Sequence, residues 1–161
     1  MRLTDDRIHR LLRQCYLNAQ HSDDTKTQNG SVLVVDSVEV AGWNHFAVPQ
    51  KSYPDDKTKA RVMIHAERDC LFRAARLGVR TGGSTMLCVW APCCQCAQAI
   101  LSCGVKTLVT HKSMMDRTYE KYQEEVAFGL KMLTDSGVEH INWDGQIGSV
   151  TNLMNGEVWN P

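Results

Sequence analysis

The chain has 161 residues, 43% of them hydrophobic and 22% charged, a composition that fits one globular domain and argues against disorder, collagen-like sequence and coiled coil. Eighteen Lys plus Arg balance eighteen Asp plus Glu, so no global field draws the protein to nucleic acid or an anionic membrane, and a small solute is the expected partner. No run has the length of a membrane span, the first residues lack the apolar centre of a signal peptide, and the seven cysteines read as reduced thiols, so a cytoplasmic location is expected.

Thr4 caps a predicted helix in which Ile8, Leu11, Leu12, Cys15 and Ala19 form one apolar face up to about residue 20. The polar stretch His21 to Asn29 ends in the turn signal Asn29-Gly30, and the β-branched runs 31–35 and 38–43 then read as an antiparallel hairpin. His45 to Met63, with Pro49, Pro54 and several charges, reads as a long functional loop. A helix is predicted over 64–77, a strand over 85–90, a short helix over 93–103, a strand over 105–110, a helix over 117–136 and a last strand over 138–142. This alternation calls for an α/β fold, a mostly parallel sheet between two helical layers, in a single domain spanning 1–161. Its core covers about 22–142, and the 143–161 tail holds a turn at Asn155-Gly156.

Two segments carry chemistry: His65-Ala66-Glu67 at one helix start, and Pro92-Cys93-Cys94-Gln95-Cys96 between a strand and the next helix. One imidazole and two thiolates three residues apart can hold a single Zn²⁺, leaving the fourth tetrahedral position to water, which is the pattern of a catalytic rather than a structural ion. Helix N-termini also favour thiolate over thiol. Glu67, two residues after His65, can reach that water and move a proton without binding the metal. His-x-Glu with Pro-Cys-x-x-Cys is the signature of zinc-dependent nucleobase deaminases. A Cys-x-x-Cys redox pair would leave His65 and Glu67 without a role. Cys94, turned about 100° from Cys93 on a helix, reads as a buried small side chain, and Cys15, Cys70, Cys88 and Cys103 read as core.

These motifs, with Asp23 to Val34, Gly42-Trp43-Asn44, the helix residues 71–76 and the run 97–105, resemble the cytidine deaminase superfamily, and most closely its deoxycytidylate (dCMP) deaminases. The resemblance implies a three-layer α/β/α fold with a five-stranded mixed sheet in order 2-1-3-4-5. It implies hydrolysis of dCMP to dUMP and ammonia, supplying dUMP for thymidylate synthesis, with one zinc on His65, Cys93 and Cys96 and Glu67 as the catalytic group. Asn44 is expected on the sugar, with backbone groups of Ala66 and Pro92 on the pyrimidine edge. Lys51, Lys57, Lys59 and Arg61 are candidate phosphate contacts by charge, and Arg76 is a candidate regulatory or inter-subunit contact. The resemblance further implies a homo-oligomer, often a hexamer, with dCTP and dTTP as effectors. Against the family pattern stand Asp69 in place of an Asn and Ala91 in place of a Ser or Thr-Glu. Other readings are deamination of dCTP, of deoxycytidine or of a tRNA adenosine. A different class is a non-catalytic zinc or nucleotide-binding module.

Overall fold

The computed structural model describes residues 3–48, 53 and 55–161. Thr4 caps α1 (Asp5–Ala19), its hydroxyl accepting the Arg7 amide, and the face bearing Ile8, Leu11, Leu12, Cys15 and Tyr16 is buried. β1 (Gly30–Val35) and β2 (Val38–Trp43) form the expected hairpin. β5 (Thr85–Cys88), β6 (Thr107–His111) and β7 (Glu139–Trp143) complete a sheet in order β2-β1-β5-β6-β7. Between hairpin and β5 lie β3 (His45–Phe46), α2 (Asp56–Val62), β4 (Met63–Ile64) and α3 (Ala66–Arg76). After β5 come α4 (Cys94–Ser102), α5 (Lys112–Met115) beyond β6, α6 (Glu120–Asp135), and the tail strands β8 (Asn152–Met154) and β9 (Glu157–Trp159).

The sheet is five-stranded and mixed, in the order that the family resemblance implies, and not mostly parallel as the strand–helix alternation alone suggests. β1 runs antiparallel to both β2 and β5, while β5, β6 and β7 are parallel. Strand–helix alternation from residue 85 onward predicts only the parallel half, because the hairpin that opens the sheet forces β1 and β2 to oppose. Both faces are covered. α1, α5 and tail residues Ile147, Val150 and Met154 pack on one side with Val32, Val34, Leu87 and Val109. α3, α4 and α6 pack on the other with Leu33, Val40, Met86 and Leu108.

The long loop expected between His45 and Met63 is instead partly folded. β3 pairs with β4 through His45↔Ile64 and Phe46↔Met63. Asp55 caps α2, its carboxylate accepting the Thr58 amide at 2.7 Å, a local cap that the prolines and charges of this stretch obscure. β4 also takes up the first residue of the expected helix, so that α3 starts late, at Ala66, with His65 extended before it. The tail turn is present, with Asn155 and Gly156 both at positive φ (57° and 83°), as a two-residue hairpin requires. That hairpin is bound to the segment leading into β1: the Gln28 amide donates to Leu153 O and the Gly156 amide to Lys26 O, each at 2.8 Å. No helix among the described residues is long and apolar enough to cross a membrane.

Candidate metal centre

Two chain segments, the start of α3 and the start of α4, meet beyond the C-terminal end of β5, where open α/β sheets place their ligands. His65 and Cys93 are the N-cap residues of α3 and α4, both with extended backbone and neither making a side-chain cap bond. Their side chains turn toward each other instead. His65 Nδ1 lies 3.5 Å from Cys93 Sγ and 3.5 Å from Cys96 Sγ, and the three ligand atoms lie within 4.8 Å of one another. A tetrahedral zinc with Zn–N of about 2.05 Å and Zn–S of about 2.3 Å has N···S edges of about 3.6 Å. The donor set therefore fits one zinc ion in both chemistry and spacing.

Electrostatics at the cluster favour the metal-binding form at Cys93 and hold protons on Cys96 and His65. Cys93 is held down to about 3 by the hydrogen bond it shares with Cys96 and by its contact with His65. Cys96 is pushed the other way by the same shared bond and by burial, so the pair gives up its first proton from Cys93. Burial pulls the His65 imidazole down, but the bond to Cys93 and the nearby Glu67 carboxyl raise it overall. Metal binding displaces these protons and couples affinity to pH. Glu67 is 1% exposed, its Oε2 has no partner among the described residues, and burial pushes its carboxyl up to about 7. A buried carboxyl that titrates near neutrality is equipped to hold and release a proton.

Other expected residues divide. Lys57 and Arg61 line a cavity of about 470 Å³ together with Ala60, Met63, Arg68 and Gln95. Arg68 follows Glu67, and Gln95 precedes Cys96, so this basic cavity borders the cluster. Lys59 is engaged elsewhere, in an ion pair with the buried Asp24 at 2.7 Å. Lys51 lies outside the described residues. Arg76 is exposed in the last turn of α3, at the opposite end from His65. Asn44 is 6% exposed and its amide is turned inward, accepting from the Asn29 amide at 2.7 Å and donating to Thr27 O at 2.8 Å. Ala66 and Pro92 are buried beside the ligands, and the Ala66 carbonyl accepts the Ser31 hydroxyl at 2.7 Å. Cys94 is half-buried rather than buried: it opens the outer face of α4, with its thiol directed at the Glu125 carbonyl oxygen 3.6 Å away. Cys15, Cys70 and Cys88 are core, and Cys103 packs at its margin.

Neither motif marks Arg68 as a cavity residue, and Gln95 lies inside the Pro92–Cys96 motif without a ligand's role. The helical spacing was the available signal, since Arg68 lies three residues from His65 and so shares a side of α3 with it.

A family model described as the cytidine and deoxycytidylate deaminase zinc-binding region matches residues 5–112. The chain belongs to this family. ComE operon protein 2 of Bacillus subtilis (strain 168) is 26% identical over 101 residues, 59% of this chain and 53% of that protein; the chain spans about half the length of this curated relative. The dCMP deaminase of cyanophage S-TIM5, solved in complex with dCMP and dUMP, shares the fold with a TM-score of 0.72 at 21% identity, over 88% of this chain and all (100%) of that one. The diaminohydroxyphosphoribosylaminopyrimidine deaminase/reductase of Thermotoga maritima gives 0.63 at 19% identity, over 84% of this chain and 36% of that one. The architecture is thus the α/β cytidine-deaminase-like fold, and the cluster of His65, Cys93 and Cys96 is consistent with one zinc site in a zinc-binding family.

Within the family pattern, Asp69 has a visible use. Its carboxylate accepts the Trp43 amide at 3.0 Å and the Arg73 guanidinium at 2.8 Å, and faces His45 Nε2 at 3.2 Å. It joins the end of β2 to α3 beside the cluster.

Proposed function

We propose that the protein is a zinc-dependent deaminase that hydrolyses dCMP to dUMP and ammonia. The observation that carries the nucleotide reading is the cavity of about 470 Å³ beside the metal cluster, whose lining includes the three cations Lys57, Arg61 and Arg68. A nucleoside gives such a lining nothing to neutralise, whereas a 5′-monophosphate takes charge-assisted hydrogen bonds from guanidinium and ammonium groups. The complex of the cyanophage enzyme with dCMP and dUMP supports the same choice.

When bound by His65, Cys93 and Cys96, zinc lowers the pKa of a water toward neutrality and so supplies the nucleophile for C4 of the pyrimidine. The chain's own part is proton movement and placement. Glu67 takes the proton lost by the water at its unpartnered Oε2 and delivers it to N3 as the C4–O bond forms; it then carries the proton of the new C4 hydroxyl to the amino group, so that the C4–N bond breaks, ammonia leaves and the C4 carbonyl of dUMP is formed. Burial keeps that proton from bulk solvent. Backbone groups at Ala66 and Pro92 border the ring edge. Asn44 is proposed on the sugar from the family resemblance alone; its side-chain amide also holds the 27–29 segment. Among the candidate phosphate donors, Lys57 and Arg61 are retained with Arg68, and Lys59 is not.

One comparative assay tests this reading: ammonia release from dCMP, deoxycytidine, dCTP and a tRNA anticodon stem by the zinc-loaded protein. The expected result is highest kcat/KM on dCMP, with Arg68→Ala raising KM for dCMP far more than for deoxycytidine. Equal or better use of deoxycytidine would overturn the nucleotide assignment. A zinc-loaded protein that releases ammonia from none of the four would move it to the non-catalytic binding class. A hexameric assembly and control by dCTP and dTTP are proposed from the family resemblance alone, and sedimentation with each nucleotide tests both.

A further inference from the structure

The residues that carry the cysteine ligands depend on a helix that contributes none of them. Cys93 occupies the N-cap position of α4, where Ser, Thr, Asp or Asn normally accepts a first-turn amide. Cys93 makes no such bond, since its sulfur faces His65. The orphaned amide of Cys94 donates to Glu125 Oε1 of α6 at 3.0 Å instead. One turn further along α6, Gly129 meets the same segment. A Cβ built there would lie 2.6 Å from Pro92 O, 3.2 Å from the Cys93 carbonyl carbon and 3.3 Å from Cys93 O. Residues four apart share a helix face, so Glu125 and Gly129 form one clamp on Pro92-Cys93-Cys94.

From this geometry we infer that α6 sets the position of the cysteine ligands, Glu125 by capping α4 in place of Cys93 and Gly129 by letting the two backbones touch. The inference rests on the metal reading of the cluster and not on the choice of substrate. Groups that orient metal ligands without touching the ion commonly change affinity by about 10-fold to 100-fold when altered. Neither residue touches the ion or the substrate cavity, so both are positioning residues.

The test compares four variants of the full-length zinc-loaded protein by competition with a chromogenic chelator and by the visible spectrum after cobalt substitution. Gly129→Ala should weaken zinc retention about tenfold or more and shift the sulfur-to-cobalt bands. Glu125→Ala should weaken it in the same direction, and Glu125→Gln, which keeps an acceptor oxygen, should restore most of the loss. Gly137→Ala is the stability control. Gly137 sits just beyond α6 at φ +83° with nothing within 4 Å of its Cβ position, so the substitution strains the helix end without reaching the cysteines. It should lower the melting temperature while leaving zinc affinity and the cobalt spectrum at wild-type values. Wild-type retention and spectra in both Gly129→Ala and Glu125→Ala would overturn the inference, as would an equal loss in Gly137→Ala. A wild-type protein that takes up no zinc would remove the metal reading and this inference together, whereas failure to deaminate dCMP would leave the inference standing.

Discussion

Gly42 of β2 and Ala66 at the start of α3 are in backbone contact: a Cβ at Gly42 would lie 2.5 Å from Ala66 O and 2.6 Å from Cys70 N. Helix α3 therefore presses directly on the sheet, one residue from His65 and one from Glu67. Ser31 of the neighbouring strand fixes the same carbonyl through its hydroxyl. Gly42→Ala must separate the two elements, and overpacking of this kind costs about 1–3 kcal/mol. The expected outcome is a lower urea midpoint with unchanged m-value, accompanied by reduced zinc content after dialysis. Full zinc occupancy at the lowered stability would separate the packing of α3 from the placement of His65.

Glu67 has the opposite character: it is buried with an unpartnered oxygen, so its removal should leave the fold intact. Glu67→Gln keeps shape and takes away the proton acceptor. Loss of a positioned acid–base group lowers kcat by about 10²-fold to 10⁴-fold, with zinc content expected at the wild-type value. Near-normal turnover by a zinc-loaded Glu67→Gln protein would exclude Glu67 as the proton carrier.

Legibility from sequence follows the range of the interactions involved. The cluster of His65, Cys93 and Cys96 could be read because two short motifs each place their side chains by local geometry, His65 and Glu67 two apart and Cys93 and Cys96 one helical turn apart. The outer helices and the hairpin were readable through periodicity and turn residues, such as the face from Ile8 to Ala19 and the pair Asn155-Gly156. The direction of β1 against β5 was not, because strand polarity depends on partners 57 or so positions away, as in Ser31↔Cys88. Charge alone placed Lys57 and Lys59 in one group, whereas the fold gives Lys59 to Asp24 and Lys57 to the cavity. The clamp of Glu125 and Gly129 on the cysteine segment left no local trace, since each reads as an ordinary residue of an amphipathic helix.

Asp69 offers a test of how far the surroundings of the metal tolerate the usual family residue. Its two oxygens serve the Trp43 amide, Arg73 and His45, and Arg73 is further placed 3.7 Å over the Trp43 ring. In Asp69→Asn the one amide oxygen can keep the Trp43 amide and Arg73, and the NH2 faces His45 Nε2, so the change removes the negative charge that Arg73 meets. Weakening a half-exposed charge-assisted bond costs about 1 kcal/mol, and the expected reading is that drop in urea stability with a rise in KM exceeding any change in kcat. Stability equal to wild type would mean that solvent compensates Arg73 and that Asp69 is replaceable.

The α1 side of the sheet supplies a prediction about acid. His111 is fully buried, with Nε2 2.8 Å from Gly145 O and Nδ1 2.6 Å from the Tyr16 hydroxyl. A carbonyl can only accept, so Nε2 carries the hydrogen and Tyr16 donates to Nδ1. Trp159 stacks at an interplanar angle of 13° and Trp143 flanks the ring, leaving Asp144 as the charge that partly favours imidazolium. Burial lowers the His111 pKa below its usual 6.5, and burial also lowers that of His140, which contacts Thr110 in the adjoining strand. Below pH 6.5 the unfolded chain then binds more protons than the native one, so stability falls as pH drops and gains no further slope from these groups above it. One full proton sets a ceiling of about 1.4 kcal/mol per pH unit. Glu67 and His65, whose pKa values are raised, act in the opposite direction over the same range, so the His111 share is read as a difference: from pH 7.5 to 5.5 the wild-type urea midpoint should fall relative to that of His111→Gln, which has no titration and starts lower at pH 7.5 through the lost ring packing. An unchanged slope in that variant would assign the acid sensitivity to His140 or to the metal cluster instead of the Tyr16–His111 bond.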